Sequence, residues 1–248
     1  MKSMDGDVAM RSRFSNAWRR LAALMFALLS ACASAPDANP RDPLEGFNRG
    51  VLEFNEGIDK AVLRPAATAY QELVPSLVRR GVSNFFANLD DAWTAVNSGL
   101  QLKPTEAAES VMRFGVNTVF GVLGLFDVAS EMKIARHRED FGQTLGRWGV
   151  PTGPYLVLPI FGPSTLRDAL AMPVDRAGSL VAGMNDVSSR NVLLALDAVD
   201  TRARLLGLGT LLEEASLDKY SFIRDVFLQR RSNEVYDGNV PENGIPSN

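Results

Sequence analysis

The clearest pattern in the chain is an apolar stripe at helical spacing in its first half. The stripe steps by three or four residues through Val78, Val82, Phe85, Leu89, Trp93 and Val96. Steps of that size keep side chains on one face of an α-helix, which repeats about every 3.6 residues. The pattern therefore predicts one continuous amphipathic helix over residues 78–96.

A second helix is predicted directly after the first. Pro104 and Thr105 open it, and its apolar positions include Val111, Phe114 and Val119. Proline is well tolerated in the first turn of a helix, because the amide hydrogen that it lacks would have no helical partner there.

A third helix is predicted near the C-terminus. Its apolar positions are Leu217, Tyr220, Ile223 and Phe227, with Ser216 as a candidate cap and Arg230 and Arg231 in the last turn. No stretch alternates apolar and polar residues around the short glycine turns that a hairpin sheet needs. The fold class predicted from these patterns is all-α.

Two segments break the amphipathic pattern. Residues 116–129 are apolar on nearly all sides, and residues 149–163 contain three glycines and four prolines around a short apolar run. Such proline spacing excludes a long helix from the second segment. A buried helix with an irregular loop crossing the core would explain both segments, and so would contact with lipid. Composition does not separate these alternatives.

The N-terminus has the pattern of a lipoprotein signal peptide. Four arginines between positions 11 and 20 precede the uncharged run of residues 21–31, which is too short for a spanning helix of about 20 residues. Leu29, Ser30, Ala31 and Cys32 then resemble a bacterial lipobox. We therefore expect a signal peptide over residues 1–31, starting at Met1 or Met10, and lipidation of Cys32.

The composition of the chain excludes several function classes. It has 248 residues with a formal net charge of -3, which does not favour phosphate-driven binding of nucleic acid. One cysteine and one histidine exclude an internal disulfide and argue against a thiol or zinc centre. No phosphate-binding loop, HExxH or GxSxG motif occurs, which favours a protein that is not an enzyme and holds no metal or cofactor.

The remaining reactive residues are expected to be structural. His137 stands between arginines and is interpreted as a solvated side chain. The adjacent acids Asp90 and Asp91, like Glu213 and Glu214, point to different sides of a helix and are expected to cap or solvate helix surfaces.

Several polar strings resemble, in order, the MlaA (VacJ) family of outer-membrane lipoproteins of Gram-negative bacteria. The resemblance covers residues 42–231. It is carried by DPLEGFNR at 42–49, Asn55 to Asp59 with Arg64-Pro65, Ser83-Asn84-Phe85 with Asn88-Leu89, Arg113-Phe114 with Asn117-Thr118, Gly124-Leu125 with Asp127-Val128-Ala129, the block from FGQTLG to GPS at 141–164, and Tyr220, Arg224-Asp225 and Gln229-Arg230.

The resemblance implies much more than the spacing does. It implies an all-α, ring-like bundle of amphipathic helices lying in the outer membrane around a central amphipathic channel. It also implies transport of phospholipids from the outer leaflet to the periplasmic carrier MlaC, association with a trimeric porin, and no bond chemistry. The absence of Asp at position 33, after the lipobox cysteine, favours the outer membrane.

These considerations divide the chain and assign candidate residues. Residues 1–31 are the signal peptide, 32–41 a lipidated tether, 42–231 the helical domain and 232–248 a disordered tail. The candidate channel wall or gate comprises Gly142, Gly146, Gly149, Pro154, Tyr155, Leu156 and Pro159. The candidate bilayer contacts are Val119, Phe120, Leu123, Leu125 and Phe126.

Structural alternatives accompany these assignments. Each of Gly142, Gly146 and Gly149 is a candidate hinge, but a tight turn or close helix packing would equally require glycine. In the string 42–49 we expect Asp42 to cap a helix, with Phe47 packing inward and Arg49 pairing locally.

Two other functions remain open at this point. One is a structural envelope lipoprotein without a transport role. The other is a lipid hydrolase with Ser164 as its nucleophile, which lacks a plausible base because His137 is the only histidine.

Overall fold

The computed structural model describes residues 42–207 and 218–241, so the predicted signal peptide, Cys32, Ser216 and Leu217 lie outside the described residues. The helices are α1 Glu45–Ile58, α2 Arg64–Leu73, α3 Ser76–Leu100, α4 Pro104–Val119, α5 Val128–Glu131, α6 Phe141–Arg147, α7 Leu166–Gly178, α8 Val187–Arg204 and α9 Lys219–Val235. A π-helical turn, Asp59–Leu63, joins α1 to α2, and two strands, β1 Tyr155–Leu158 and β2 Gly162–Thr165, precede α7. Within these ranges no helix is both long and apolar enough to cross a membrane.

The mostly helical fold confirms the predicted class. The helices predicted over residues 78–96 and from Pro104 are α3 and α4, which pack along each other. Several helices begin at side chains that accept a backbone amide hydrogen. For example, Asp140 accepts from Gln143 at 2.8 Å and Asp186 from Ser189 at 2.7 Å. Such caps satisfy amides that have no helical partner.

The C-terminal helix is longer than predicted. Helix α9 begins after Asp218, whose side chain caps it, and continues to Val235. The prediction of a disordered tail from residue 232 was therefore wrong for the start of that segment. Val235 is buried against α6, where its methyl group lies close to Gly146.

A short hairpin occupies part of the segment predicted to be irregular. Strands β1 and β2 pair antiparallel with Tyr155 opposite Thr165 and Leu158 opposite Gly162. The hairpin could not be predicted from the sequence because its turn contains no Asn-Gly or Asp-Gly dipeptide. The residue with positive φ in this turn is Ile160, at 71°, where a glycine or asparagine would be expected. The expectation that no hairpin forms was wrong.

Helix α1 covers the free edge of strand β1. The Asn48 side chain donates to the Tyr155 carbonyl at 3.1 Å and accepts from the Val157 amide at 2.8 Å. Two helical turns later, the Asn55 side chain likewise donates to the Leu158 carbonyl at 2.9 Å and accepts from the Ile160 amide at 2.7 Å. The two amide side chains thus take the place of a third strand and satisfy the exposed strand edge.

The apolar segment 116–129 is not one helix. Helix α4 ends at Val119, and Val122, Leu123 and Gly124 then adopt φ values of 53°, 57° and 90°. Gly124 passes so close to Asn88 that an added Cβ would lie 2.6 Å from the Asn88 Cβ. Residues 119–126, which we call the apolar turn, therefore fold back against α3, so the segment is not one buried helix.

The fold buries polar side chains and exposes apolar ones. On α3 the buried side chains include Asn88, Asp91 and Asn97, whereas Val78 and Val96, at the ends of the predicted stripe, are 53% and 48% exposed. Helix α4 likewise buries Ser110, Arg113 and Asn117. The cluster of buried apolar side chains is small and centres on Tyr155, Val157 and Tyr220. This arrangement is the reverse of that in a water-soluble protein, where apolar side chains fill the interior.

Close packing accounts for two of the predicted hinge glycines. A Cβ on Gly142 would lie 2.4 Å from an Asp168 oxygen, and one on Gly146 would lie 2.6 Å from the Arg167 guanidinium. Both residues lie inside α6 with ordinary helical geometry. The structure therefore favours close packing at both positions.

We predict that Gly142→Ala lowers the free energy of unfolding by about 1–3 kcal/mol, because the new methyl group overpacks a buried site. The matched control is Gly50→Ala in α1, where nothing lies within 4 Å of the added Cβ. That variant should gain about 0.5–1 kcal/mol from the better helix propensity of alanine. Denaturant unfolding in detergent measures both, and equal effects of the same sign would contradict the packing argument.

Candidate functional site

The polar interior centres on the fully buried side chain of Arg113. Its guanidinium donates to Asp127 at 2.8 Å and to the Ile134 carbonyl at 2.7 Å. On its other side, Arg113 Nε lies 3.4 Å from Asp91 Oδ2. Arg136 also approaches both aspartates, so two arginines and two aspartates form one cluster between α3, α4 and α5. The two charges of each sign leave no net charge in the cluster.

The two aspartates of this cluster differ in protonation behaviour. Burial raises the pKa of Asp91, and the charges of Arg136 and Arg113 offset only part of this. Burial also acts to raise the pKa of Asp127, but hydrogen bonds from Ser130 and the charge of Arg136 lower it overall. The prediction that Asp91 caps or solvates a helix surface was wrong, because its carboxylate faces Arg113 inside the protein.

A second cluster joins the N-termini of α6 and α7 to α9. Arg231 makes two bonds to Asp140, at 2.6 and 2.7 Å, and two to Asp168, at 2.9 and 3.0 Å. Carboxylates at helix N-termini are favourable because the amides there carry partial positive charge. Burial acts to raise the pKa of Asp140, but the hydrogen bonds and charge of Arg231 lower it overall.

A third cluster surrounds Lys103. Its ammonium lies 3.0 Å from Glu139, 2.5 Å from Asp237 and 3.8 Å from Glu106. The three carboxylates present oxygens within 4.8 Å of one another, a spacing at which a metal ion could be held. Because the Lys103 ammonium binds two of these carboxylates directly, it supplies the positive charge that they need.

The fourth cluster lies where the described domain begins. Asp42 is buried, and its Oδ2 accepts from Tyr220 at 2.5 Å and from Arg224 at 3.1 Å. The predicted cap role of Asp42 is wrong, since no side chain caps α1. Arg49 does pair locally with Glu45, as predicted, and also with Asp218, whereas Phe47 is exposed instead of packing inward.

The predicted gate residues lie in one continuous stretch but in different environments. Gly149 follows α6 with φ of 90° and is exposed, with nothing within 4 Å of an added Cβ. Pro154 and Leu156 are partly buried and Pro159 is exposed at the hairpin turn. Tyr155 is buried, with its ring packed edge-on against Tyr220 and Phe227. Its side chain therefore supports the hairpin from within the small apolar cluster.

The predicted bilayer contacts lie together on the apolar turn. Their side chains are between 41% and 72% exposed, and they comprise Val119, Phe120, Leu123, Leu125 and Phe126. The turn is held firmly: Asn84 donates to the Leu125 carbonyl at 3.2 Å, and the Leu123 and Gly124 amides bind carbonyls of α4. The turn thus presents a fixed apolar surface.

The residues considered for catalysis are not brought together by hydrogen bonds. The ring of His137 forms a hydrogen bond with Glu109 at 2.6 Å, which ties the ring to α4. Ser164 lies on β2, and its hydroxyl donates to the neighbouring Thr165 carbonyl at 3.3 Å. Within the described ranges no hydrogen bond links Ser164 to His137.

Sequence reasoning missed the polar interior, although a signal for it was present. Asn84, Asn88, Asp91 and Ser98 recur on α3 at steps of four, three and seven, which is a helical period as regular as that of the apolar stripe. Because α3 has both a regular apolar face and a regular polar face, its sequence does not show which of the two faces lies inside the protein. The choice depends on the surroundings of the protein.

Comparison with known proteins identifies the family of this chain. A family model described as MlaA lipoprotein matches residues 40–234. The chain belongs to the MlaA lipoprotein family. An MlaA relative from Escherichia coli, named an intermembrane phospholipid transport system lipoprotein, is 39% identical over 221 residues, covering 85% of this chain and 86% of the relative.

Other comparisons agree with membership of the MlaA family. The Haemophilus influenzae MlaA, which bears the same name, is 35% identical over 232 residues, covering 90% of this chain and 92% of the relative. A solved structure from work on the structural basis for maintenance of bacterial outer membrane lipid asymmetry matches with a TM-score of 0.70 and 36% identity, over 78% of this chain and 98% of that chain.

We predict that Arg113→Met lowers the free energy of unfolding by about 3–5 kcal/mol, because it leaves Asp91 and Asp127 without their main buried partner. The control is Arg147→Met, whose ion pair with Asp237 spans 3.8 Å at the surface. Its effect should be about 0–1 kcal/mol. Chemical unfolding in detergent compares the two, and losses of equal size would show that the buried pairing does not matter.

Proposed function

We propose that this protein is an outer-membrane lipoprotein that removes misplaced phospholipids from the outer leaflet and passes them through a channel to a periplasmic carrier. The net effect would be retrograde phospholipid transport and an asymmetric outer membrane. The observation that carries the proposal is the reversed fold, in which charged clusters face inward and apolar side chains face outward. The names of its MlaA relatives supply the transport role.

The reversed fold suits movement of an amphipathic lipid. A charged headgroup loses its hydration when it enters hydrocarbon, at a large cost in free energy, so its path needs a polar lining. The acyl tails need an apolar surface beside that path. Helices with polar and apolar faces in one ring would provide both.

The apolar turn is our proposed contact with the bilayer. Val122 and Leu123 hold left-handed backbone conformations, which cost L-residues about 1–2 kcal/mol each. Despite that cost, the turn exposes a row of large apolar side chains. Contact with hydrocarbon would remove those side chains from water at about 25 cal/mol per Å² and so offset the strain.

The loop around Gly149 is our proposed gate. Gly149 and Gly153 have positive φ, and Gly149 has free space around it, unlike the packed Gly142 and Gly146. A loop with such freedom, between α6 and β1, is the place where the backbone would change direction at least cost. Non-helical backbone at membrane depth is tolerated where it lines a cavity.

Attachment and partners complete the proposal. We infer that Cys32 carries the lipid anchor, since two or more acyl chains hold a protein stably on a membrane. The family resemblance further leads us to propose a trimeric porin and the carrier MlaC as partners. The porin would fix the protein in the outer membrane, and the carrier would take up the phospholipid.

Complementation tests the proposed function. In a Gram-negative host that lacks its own MlaA, the full chain should lower the phospholipid content of the outer leaflet to the wild-type level. The Cys32→Ser variant should fail because it cannot be acylated. Restored envelope strength without a change in outer-leaflet phospholipid would instead support a structural lipoprotein.

A variant of the apolar turn tests the bilayer contact. Replacing Phe120 and Leu123 by Asp should weaken flotation of the unacylated Cys32→Ser chain with phospholipid vesicles and, in the acylated chain, raise outer-leaflet phospholipid, because a charge within the bilayer costs about 2.5–3.5 kcal/mol. Asn191→Asp, at an exposed polar position of α8, adds charge as a control and should change neither measurement. Undiminished flotation of the double variant, with an unchanged melting temperature in detergent, would refute the contact.

A further inference from the structure

The end of the C-terminal helix α9 is bound along the whole of α6, the helix that leads into the proposed gate. Arg231 bonds Asp140 at the start of α6, at 2.6 and 2.7 Å, and Val235 is buried against the middle of that helix. Asp237, two residues beyond α9, has its Oδ2 3.8 Å from Arg147 in the last turn of α6. These contacts follow α6 from its first turn to its last.

Asp237 also connects α6 to the junction between α3 and α4. Its Oδ1 accepts a hydrogen bond at 2.5 Å from the ammonium of Lys103, which immediately precedes α4. At the same junction the Leu100 carbonyl, at the end of α3, accepts from the indole of Trp148 at 3.1 Å. Trp148 follows α6 directly and precedes Gly149. The chain is therefore tied to the α3–α4 junction just before the proposed gate begins.

Helix α6 needs such contacts because it is short. It has only seven residues, and a helix of that length is not stable in isolation. The amides of residues 148–150 bond carbonyls within α6, at distances between 2.9 and 3.0 Å. These three bonds close the end of the helix, so their opening reports directly on whether that end is held in place.

Among the groups that hold α6, Asp237 is the one that can be released at low cost. Its side chain is 35% exposed, whereas those of Lys103 and Glu139 are 7% and 5% exposed. Glu139 lies 3.0 Å from the Lys103 ammonium and balances its charge, so release of Asp237 leaves that ammonium paired. Asp237 also has a left-handed backbone with φ of 52°, which is unfavourable for an L-residue. Strain of this kind is found at sites that switch.

We propose that Asp237 is a clasp that holds the proposed gate shut. In the clasped state Asp237 binds Lys103 and Arg147, and the loop that starts at Gly149 closes against a fixed helix. When Asp237 is released into water, the end of α6 is free to move and the loop opens. The clasp rests on the proposed function, since it acts on the gate defined there, and it adds a means of regulating that gate.

Hydrogen exchange tests the clasp without a transport measurement. In the full chain purified in detergent, Asp237→Asn should make the amides of residues 148–150 exchange about three- to tenfold faster, because the loss of a bond to a charged group favours local opening. The matched control is Asp225→Asn, which removes a charge from the same helix where Asp225 pairs with the neighbouring Arg224. This control and Asp237→Glu, which keeps the charge, should exchange at the wild-type rate.

Outer-leaflet phospholipid then tests whether the clasp acts on the gate. In the host that lacks its own MlaA, Asp237→Asn should give more outer-leaflet phospholipid than the wild-type chain, because an open path lets phospholipid pass in both directions. Asp237→Glu should restore the wild-type level.

The outcomes distinguish the clasp from the function on which it rests. Unchanged exchange at residues 148–150, or equally faster exchange throughout the chain including α1, would overturn the clasp. Faster local exchange with wild-type phospholipid would overturn its control of the gate. If the wild-type chain itself does not lower outer-leaflet phospholipid, the proposed function fails, whereas the exchange rates still decide whether Asp237 holds α6.

Discussion

The constraint on which this structure depends is that the interior must satisfy its own charges. Apolar side chains face outward, so the buried polar groups rely on one another for hydrogen bonds and counter-charges. Arg113 shows how this is done, because its guanidinium meets one aspartate from α3, another at the start of α5 and a backbone carbonyl. Leaving any of these buried charges unpaired costs several kcal/mol. An arrangement of helices that separated the charges would therefore be less stable than the observed one.

The same requirement explains where the chain needs glycine. Arg231 reaches from α9 to the N-termini of α6 and α7, and its partners lie directly against Gly142. A side chain at Gly142 would separate the carboxylates from the arginine. Gly142 thus serves the ion cluster, whereas Gly149, which follows α6, has nothing within 4 Å of an added Cβ.

Much of the secondary structure could be predicted from the sequence, but its orientation could not. The apolar spacing located α3 and α4 because helical periodicity is a local property of the chain. The direction in which Val96 or Asn97 points depends on whether water or lipid surrounds the helix, and periodicity carries no information on that point. The hairpin could not be predicted for a related reason, since β1 is stabilised by Asn48 and Asn55, which lie about a hundred residues earlier in the chain on α1, and not by its own turn.

The candidate site was partly visible in the sequence for equally physical reasons. The five apolar positions around residues 119–126 could be chosen because their composition has no polar face. Their backbone conformation depends on Asn117, which no pattern singled out for this role. The Asn117 carbonyl accepts from the Gly124 amide at 2.9 Å, and its side chain accepts from the Ala129 amide at 2.9 Å and donates to Asp127 at 3.1 Å.

Asn117 therefore joins the two surfaces of the protein. It bonds Gly124 within the apolar turn and Ala129 after it, and through Asp127 it belongs to the Arg113 cluster of the polar interior. A displacement of the turn in the bilayer would strain the bonds that hold the buried arginine, and a rearrangement of the cluster would move the turn. The apolar turn and the Arg113 cluster are therefore linked through the side chain and carbonyl of Asn117.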